Sequence, residues 1–230
     1  MTDLPTSNRG SLIAFGVWLF AVLITFGWLT QYGSAPGVAM RPPENWPGSS
    51  AIRHEPGESS LLVFLHPECP CSRATLDNLE RIAEQHSIAI TLVCLSDSHQ
   101  ESFESNWLTA GSCRGHVARW QSRPSIDVYR DIDGLEADRF RVTTSGHCLL
   151  FDELGNLRFS GGVTSRRGHE GNNSGLACLS SVIEGWSSGR KQFPVFGCPL
   201  KGSEPLATSN LAAVESLIPS PCCENRNPHE

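Results

Sequence analysis

Charge is scarce in this 230-residue chain: Asp, Glu, Lys and Arg make up 18% of it, where about a quarter is usual. A deficit of that size requires some stretch to be nearly free of charge. Basic runs are also missing, and 18 Lys and Arg against 24 Asp and Glu leave a net charge of −6. Such a chain has no electrostatic footprint for nucleic acid, which is excluded as a partner. No internal repeat is visible at any period, so solenoids and propellers are excluded. Nine cysteines are too few for a disulfide-dense scaffold, and their odd number leaves at least one out of any pairing. Hydrophobic residues at 39% exclude a disordered chain.

The charge-free stretch lies near the start. Residues 11–30 read SLIAFGVWLFAVLITFGWLT, and no charged side chain occurs between Arg9 and Arg41. As a helix, residues 12–30 extend about 28 Å, close to the hydrocarbon thickness of a bilayer. Trp28 and Tyr32 suit a membrane interface, with Trp18 set deeper. A cleaved signal peptide is the competing reading, with the small residues at 37–39 as its cleavage site. The run exceeds a normal signal core and its front carries only Arg9, which favours an uncleaved anchor. No lipobox-like cysteine follows. The expected organisation is a short cytoplasmic N-terminus (1–11) and a single inner-membrane span (12–31). Everything beyond is then extracytoplasmic, in an oxidising, periplasm-like compartment.

Beyond the span, residues 32–57 hold five prolines with several Gly and Ser and show no period, which reads as a semi-extended linker. The pattern changes at 60–65, SLLVFL, an apolar run of buried-strand type. HPECPCSR follows at 66–73, and then an amphipathic stretch to His86 with Leu76, Leu79, Ile82 and Ala83 on one face. Further strands are expected at 88–95 and 126–129, and a short helix at 133–140. A hairpin is expected over 147–152 and 156–160, with a last helix at 173–185. Helical spacing also occurs at 101–108 and 115–121. This order predicts a mixed α/β sandwich with early parallel pairing and a later antiparallel hairpin, in one domain over 58–198 followed by a polar tail at 199–230.

The chemistry concentrates where the first strand meets the first helix, the edge at which open α/β folds build their sites. With Cys69 as N-cap, Pro70 takes the first helical position, where its missing N–H costs nothing. The Cys69 sulfur then faces unpaired amides and the positive end of the helix, which lowers a thiol pKa. A disulfide across one intervening residue is strained and therefore readily reduced. A structural bond closing so small a loop contributes little stability. Metal binding and inert thiols stay open beside redox chemistry. Of the other cysteines, Cys94 reads as a buried hydrophobe, Cys148 as pointing to the sheet face opposite His147, and Cys178 as buried or paired. Cys113 lies in an ambiguous insertion. Cys222 and Cys223 with His229 close a tail that is either surplus or a metal site. His54, His99 and His116 read as surface residues.

The Pro-x-Cys turn after a strand, the following helix and the later Phe-Asp-x-x-Gly hairpin resemble the thioredoxin superfamily. HPECPCSR, TSGHCLLFDELGNLRFSGGVTSRRGHEGNNSG at 144–175 and FGCPL at 196–200 look like membrane-anchored TlpA-like and RedB-type members. The resemblance spans about residues 58–200. It implies a thioredoxin-like three-layer sandwich with a mixed sheet and a thiol–disulfide role without a cofactor, acting on the thiols or disulfides of an extracytoplasmic protein partner. Cys69 matches the attacking cysteine, whereas Cys71 stands one residue short of the usual resolving position. The place of the family's cis-proline falls at Gly146, in a loop (Ser145, Gly146, His147) that the resemblance marks for partner binding. By the same topology, residues 144–147 and 163–175 return to the cysteine edge. Arg166 or Arg167 would then stabilise a thiolate, and His169 or His147 would move protons. Cys198, in Gly-Cys-Pro, is a candidate to resolve or relay the disulfide. The geometry expected is a partly exposed Cys69 sulfur at the helix N-terminus, within about 10 Å of residues 163–173.

Three readings follow. One is a membrane-tethered oxidoreductase with Cys69 attacking and Cys71 or Cys198 resolving. Another is a module holding cuprous ion through His66, Cys69 and Cys71, with His147 or His169 as alternative imidazoles. The last is a non-catalytic scaffold.

Overall fold

A computed structural model of the chain describes residues 7–98, 114–123, 125–186 and 191–201. The chain divides into two units, residues 1–35 and residues 36–230. The expected helix at 101–108, His99, Cys113 and the Cys222–Cys223 tail lie outside the described residues.

The first unit is a single helix, α1 (Ser7–Ser34). Within Gly10–Ser34 an 18-residue window reaches a mean hydropathy of 2.3, and none of that window is buried. Thr25 and Thr30 return their hydroxyls to the carbonyls of Ala21 and Phe26, four residues back, so neither leaves an unsatisfied donor. A helix apolar on every side and long enough to cross a bilayer is a candidate membrane span or signal sequence.

The second unit is built on a six-stranded mixed sheet. Its strands are β1 (Ser60–Leu65), β2 (Ala89–Ser96), β3 (Ile126–Ile132), β4 (His147–Phe151), β5 (Leu157–Gly162) and β6 (Lys191–Gln192), in the spatial order β3-β2-β1-β4-β5-β6. β1, β2 and β3 run parallel, while β4 pairs antiparallel with both β1 and β5. Helices α2 (Pro70–Gln85), α3 (Arg114–Gln121), α4 (Leu135–Arg139) and α5 (Ser174–Ile183) complete it. β1 is central and every residue in it is buried, which is why it reads as a continuous apolar run. Its pleat sends Leu61, Val63 and Leu65 into one core with Leu76, Leu79 and Ile82 of α2, Trp120 of α3 and Leu176 and Leu179 of α5. Leu62 and Phe64 enter the opposite core with Ala137, Phe140, Leu149 and Phe151. The three-layer sandwich is the one that the resemblance implies, and the strand and helix positions agree with those read from the pattern to within a few residues.

The Pro-rich segment differs from the tether that its composition suggests. Residues 36–57 are laid along the sheet and close the second core. The Trp46 ring meets Phe140 and Phe151 edge-on at 5.3 and 4.9 Å and stacks on His54 at 4.9 Å. His54 is therefore packed rather than a free surface residue. Ile52 is buried in the same cluster. Backbone bonds run from Trp46 N–H to Gly155 O and from Leu157 N–H to Glu44 O, both 2.8 Å. The Ser50 hydroxyl (2.7 Å) and the Ala51 amide (2.9 Å) donate to the buried Glu136 carboxylate. The segment looks like a linker because its partners stand about a hundred residues away in sequence. At the other end the packed unit runs past 198, with Leu200 buried. A linker residue would tolerate truncation almost silently. Trp46→Ala is instead expected to cost about 2–3 kcal/mol in denaturant unfolding of residues 36–201, at the low end for a half-buried tryptophan.

Candidate functional site

The carboxyl end of β1 delivers the chain into a tight turn. Cys69 N–H bonds His66 O at 3.2 Å and Glu68 N–H bonds His66 Nδ1 at 3.1 Å, so the His66 ring helps to form the turn. Cys69 is the N-cap of α2, extended at φ −86° and ψ 116°, with Pro70 in the first turn. This is the local geometry expected of a proline that can start a helix but not continue one. Ser72 and Ser145 tie the turn to the neighbouring loop. Their hydroxyls lie 2.7 Å apart, Ser72 also donates to His66 O (3.1 Å), and Ser145 Oγ accepts from His66 N–H (2.9 Å).

Three cysteines meet here. The Cys198 amide donates to the Cys69 sulfur at 3.4 Å, and the Cys71 and Cys198 thiols also donate to it. No disulfide links the three. The Cys69 thiol is lowered from 9.0 to about 4, first by the Cys71 thiol and then by the thiol and amide of Cys198, against the cost of burial. The Cys71 amide contributes least, and the sulfur makes no capping hydrogen bond to α2. The anion is therefore held chiefly by neighbouring thiols and a tail amide, and less by the helix terminus that the sequence singles out. Cys71 is pushed strongly upward, first by its hydrogen bond to Cys69 and then by burial, so it keeps its proton and remains the donor. The Gly168 amide also reaches the Cys71 sulfur, which brings the 163–173 segment to the site as expected. The exposure differs from expectation: Cys69 is 1% exposed, not partly open.

Each remaining candidate has a definite place. Ser145 N–H donates to Cys198 O at 2.9 Å, and Gly146 takes φ +87° with its N–H on Phe64 O. No cis peptide occurs among the described residues, in keeping with glycine at that position. The Arg167 guanidinium donates to Gly197 O, while Arg166 is exposed. His169 Nδ1 lies 3.0 Å from Ser165 Oγ. His147 is 2% exposed and bonded to Ser160 Oγ at 2.9 Å; burial lowers it to about 4 and keeps it neutral. It shares the pleat face of Leu149 and Phe151, directed into the second core, so it is neither a solvent proton carrier nor a ligand beside Cys69. Among the described residues, no group of three or more His, Cys, Asp or Glu side chains is arranged to hold a metal. Cys94 and Cys148 are core residues, and Cys178 is buried in a disulfide.

Two positioning residues escaped the sequence reading. Ser72 is fully buried, and Asn78 is buried on α2 with its amide on Val163 O (2.8 Å) and its Oδ1 receiving Gly171 N–H (2.7 Å). An asparagine on the apolar stripe of an amphipathic helix is the signal that would have found it, since a buried amide requires partners. Protonation fixes a test of the thiolate. Below its pKa Cys69 is a thiol and unreactive; above it, a thiolate. Its iodoacetamide alkylation, read by peptide mass spectrometry, should hold its rate down to about pH 5 and fall through an inflection near 4. Cys71→Ala removes the principal donor and should move the inflection upward, towards the ordinary 9.0.

No protein-family model matches the sequence, and a search of curated proteins finds no relative. Solved structures do match. An uncharacterised conserved protein of Geobacillus kaustophilus is 16% identical with a TM-score of 0.51, over 74% of this chain and 94% of that one. A hypothetical protein of Sinorhizobium meliloti 1021 is 18% identical at 0.47, over 64% and 81%. A secreted disulfide oxidoreductase of Mycobacterium tuberculosis, homologous to E. coli DsbE, is 17% identical at 0.37, over 56% and 83%. Identities this low speak for the fold alone. With a β1-α2-β2 parallel unit, an antiparallel β4-β5 hairpin and a cysteine at the first strand-to-helix junction, this chain has the thioredoxin-like fold.

Proposed function

We propose that this protein is a membrane-anchored, extracytoplasmic thiol–disulfide oxidoreductase of the TlpA-like or RedB-type kind. One observation carries the reading: a buried sulfur, Cys69, kept as an anion among two further thiols. A structural cysteine has no use for such surroundings, whereas the attacking or leaving sulfur of an exchange reaction requires them. Cys69 exchanges with the partner, and Cys71 or Cys198 closes the intramolecular disulfide. The low pKa also bears on direction. Stabilising the Cys69 thiolate stabilises the reduced protein, which makes its disulfide a stronger oxidant and favours taking electrons from partner thiols. Protein dithiols are the substrate class. The apolar helix serves as the anchor, with the second unit on the oxidising side of the membrane.

In an assay coupling a dithiol peptide to glutathione disulfide, the full chain in detergent should accelerate exchange and Cys69→Ser should reduce it to the uncatalysed rate. Wild-type exchange by Cys69→Ser overturns the reading. A phosphatase fused after residue 201 should be active only on the periplasmic side, and activity restricted to the cytoplasm would reverse the proposed orientation.

A further inference from the structure

Residues 195–200 lie over the site as a short antiparallel strap. Leu200 N–H bonds Thr143 O and Ser145 N–H bonds Cys198 O, both at 2.9 Å, and Thr144 and Pro199 form an antiparallel bridge. Arg167 holds Gly197 O from the other side. Gly197 is pressed so close that a Cβ there would stand 1.9 Å from Ser145 O. This register sets the Cys198 amide on the Cys69 sulfur and leaves Cys69 1% exposed. Thiol–disulfide exchange needs a third sulfur to approach along the bond being broken, and a covered sulfur cannot be approached. Either the strap moves or no partner reacts. Val195 and Leu200 anchor the strap's two ends in the interior, and between them residues 196–199 are held by these backbone bonds and by Arg167, whereas α2 and the 163–171 segment are fastened by core packing and by Asn78.

On the oxidoreductase reading above, we propose that the strap occupies the edge on which the partner's cysteine-bearing strand binds, so that Cys198 and the partner cysteine take turns at Cys69. In the oxidised protein the disulfide joins Cys69 to Cys198. The strap swings out about that bond, yielding Thr143 O and Ser145 N–H to the partner and uncovering the Cys69 sulfur on the side away from Cys198. A partner thiolate attacks the Cys69 sulfur there; the new S–S bond forms as the Cys69–Cys198 bond breaks, and Cys198 leaves and takes up a proton. The partner's second thiolate then attacks its own bonded sulfur and departs as a disulfide, leaving Cys69 as the thiolate. Two electrons pass from the partner dithiol to the Cys69–Cys198 pair. Of the two protons released, one stays on Cys198 and one goes to solvent. A disulfide-bearing acceptor reoxidises the pair by the same steps reversed.

The strap also describes the partner. The residue after the cysteine needs no N–H, since Pro199 has none, and the residue before it must be glycine, since any Cβ there would stand 1.9 Å from Ser145 O. The partner chemistry is thus an extended segment with glycine ahead of its cysteine.

The test uses the full chain in detergent. Reduced wild type, Gly197→Ala and Arg167→Gln are labelled with iodoacetamide, and modification at Cys69 is followed by peptide mass spectrometry. Both substitutions loosen the strap without removing a thiol, so labelling should rise about tenfold or more in at least one, as the open fraction grows. Oxidation with glutathione disulfide should yield a Cys69–Cys198 bond in wild type and a persistent Cys69–glutathione adduct in Cys198→Ser. Equal labelling rates in all three proteins, or a Cys69–Cys71 bond in the oxidised wild type, overturns the gate while leaving the oxidoreductase reading intact. If Cys69 forms no bond with glutathione in any of these proteins, both readings fall.

Discussion

A negative charge buried away from water persists only where donors are already aimed at it. At Cys69 those donors come from two distant parts of the chain. The Cys71 thiol is supplied from the first turn of α2, and the Cys198 thiol and amide come from a segment about 130 residues further on. Remove either and the sulfur loses part of what offsets its burial, and its pKa moves up towards the ordinary 9.0. The turn after β1, the 143–146 loop, the 163–171 segment and the strap are all arranged around that requirement.

Polar side chains buried at the carboxyl edge of the sheet keep these pieces in register. Ser72 and Ser145 join the cysteine turn to the loop before β4. Asn78 ties α2 to the segment after β5, and Asn173 caps α5 while donating to Val163 O. Each would be costly if left unpaired, so each acts as a positional constraint as well as a weak bond. The opposite face is closed by the 36–57 segment through Trp46 and Ile52. The central strands are thus enclosed on both sides, which gives the cysteine edge a rigid base from which a short strap can lift.

Elements whose cause is local were legible. β1 is a six-residue apolar run bounded by Ser and His-Pro; α2 begins at Cys-Pro and repeats its apolar residues at helical spacing. The hairpin turn carries Asp152, whose carboxylate accepts the amides of Leu154 and Asn156, and Gly155 supplies the positive φ at +77°. What misled were residues whose role depends on a distant partner. Prolines and glycines at 36–57 look like a tether unless Phe140 and Phe151 are known to lie beside Trp46. His147 looks available until the pleat turns it toward the second core. Arg167 carries a charge suited to a thiolate, yet it binds the carbonyl of Gly197.

From the order of residues alone came the apolar helix, the alternation of strands and helices, and the choice of Cys69 as the sulfur to watch, because hydrophobic period and proline stereochemistry act over a few neighbouring positions. Only the folded chain decided which donors reach that sulfur, that it is covered, and that Cys198 covers it. Hydrogen bonds and burial depend on distances in space, and residues 69 and 198 acquire theirs only once the sheet has brought both to one edge.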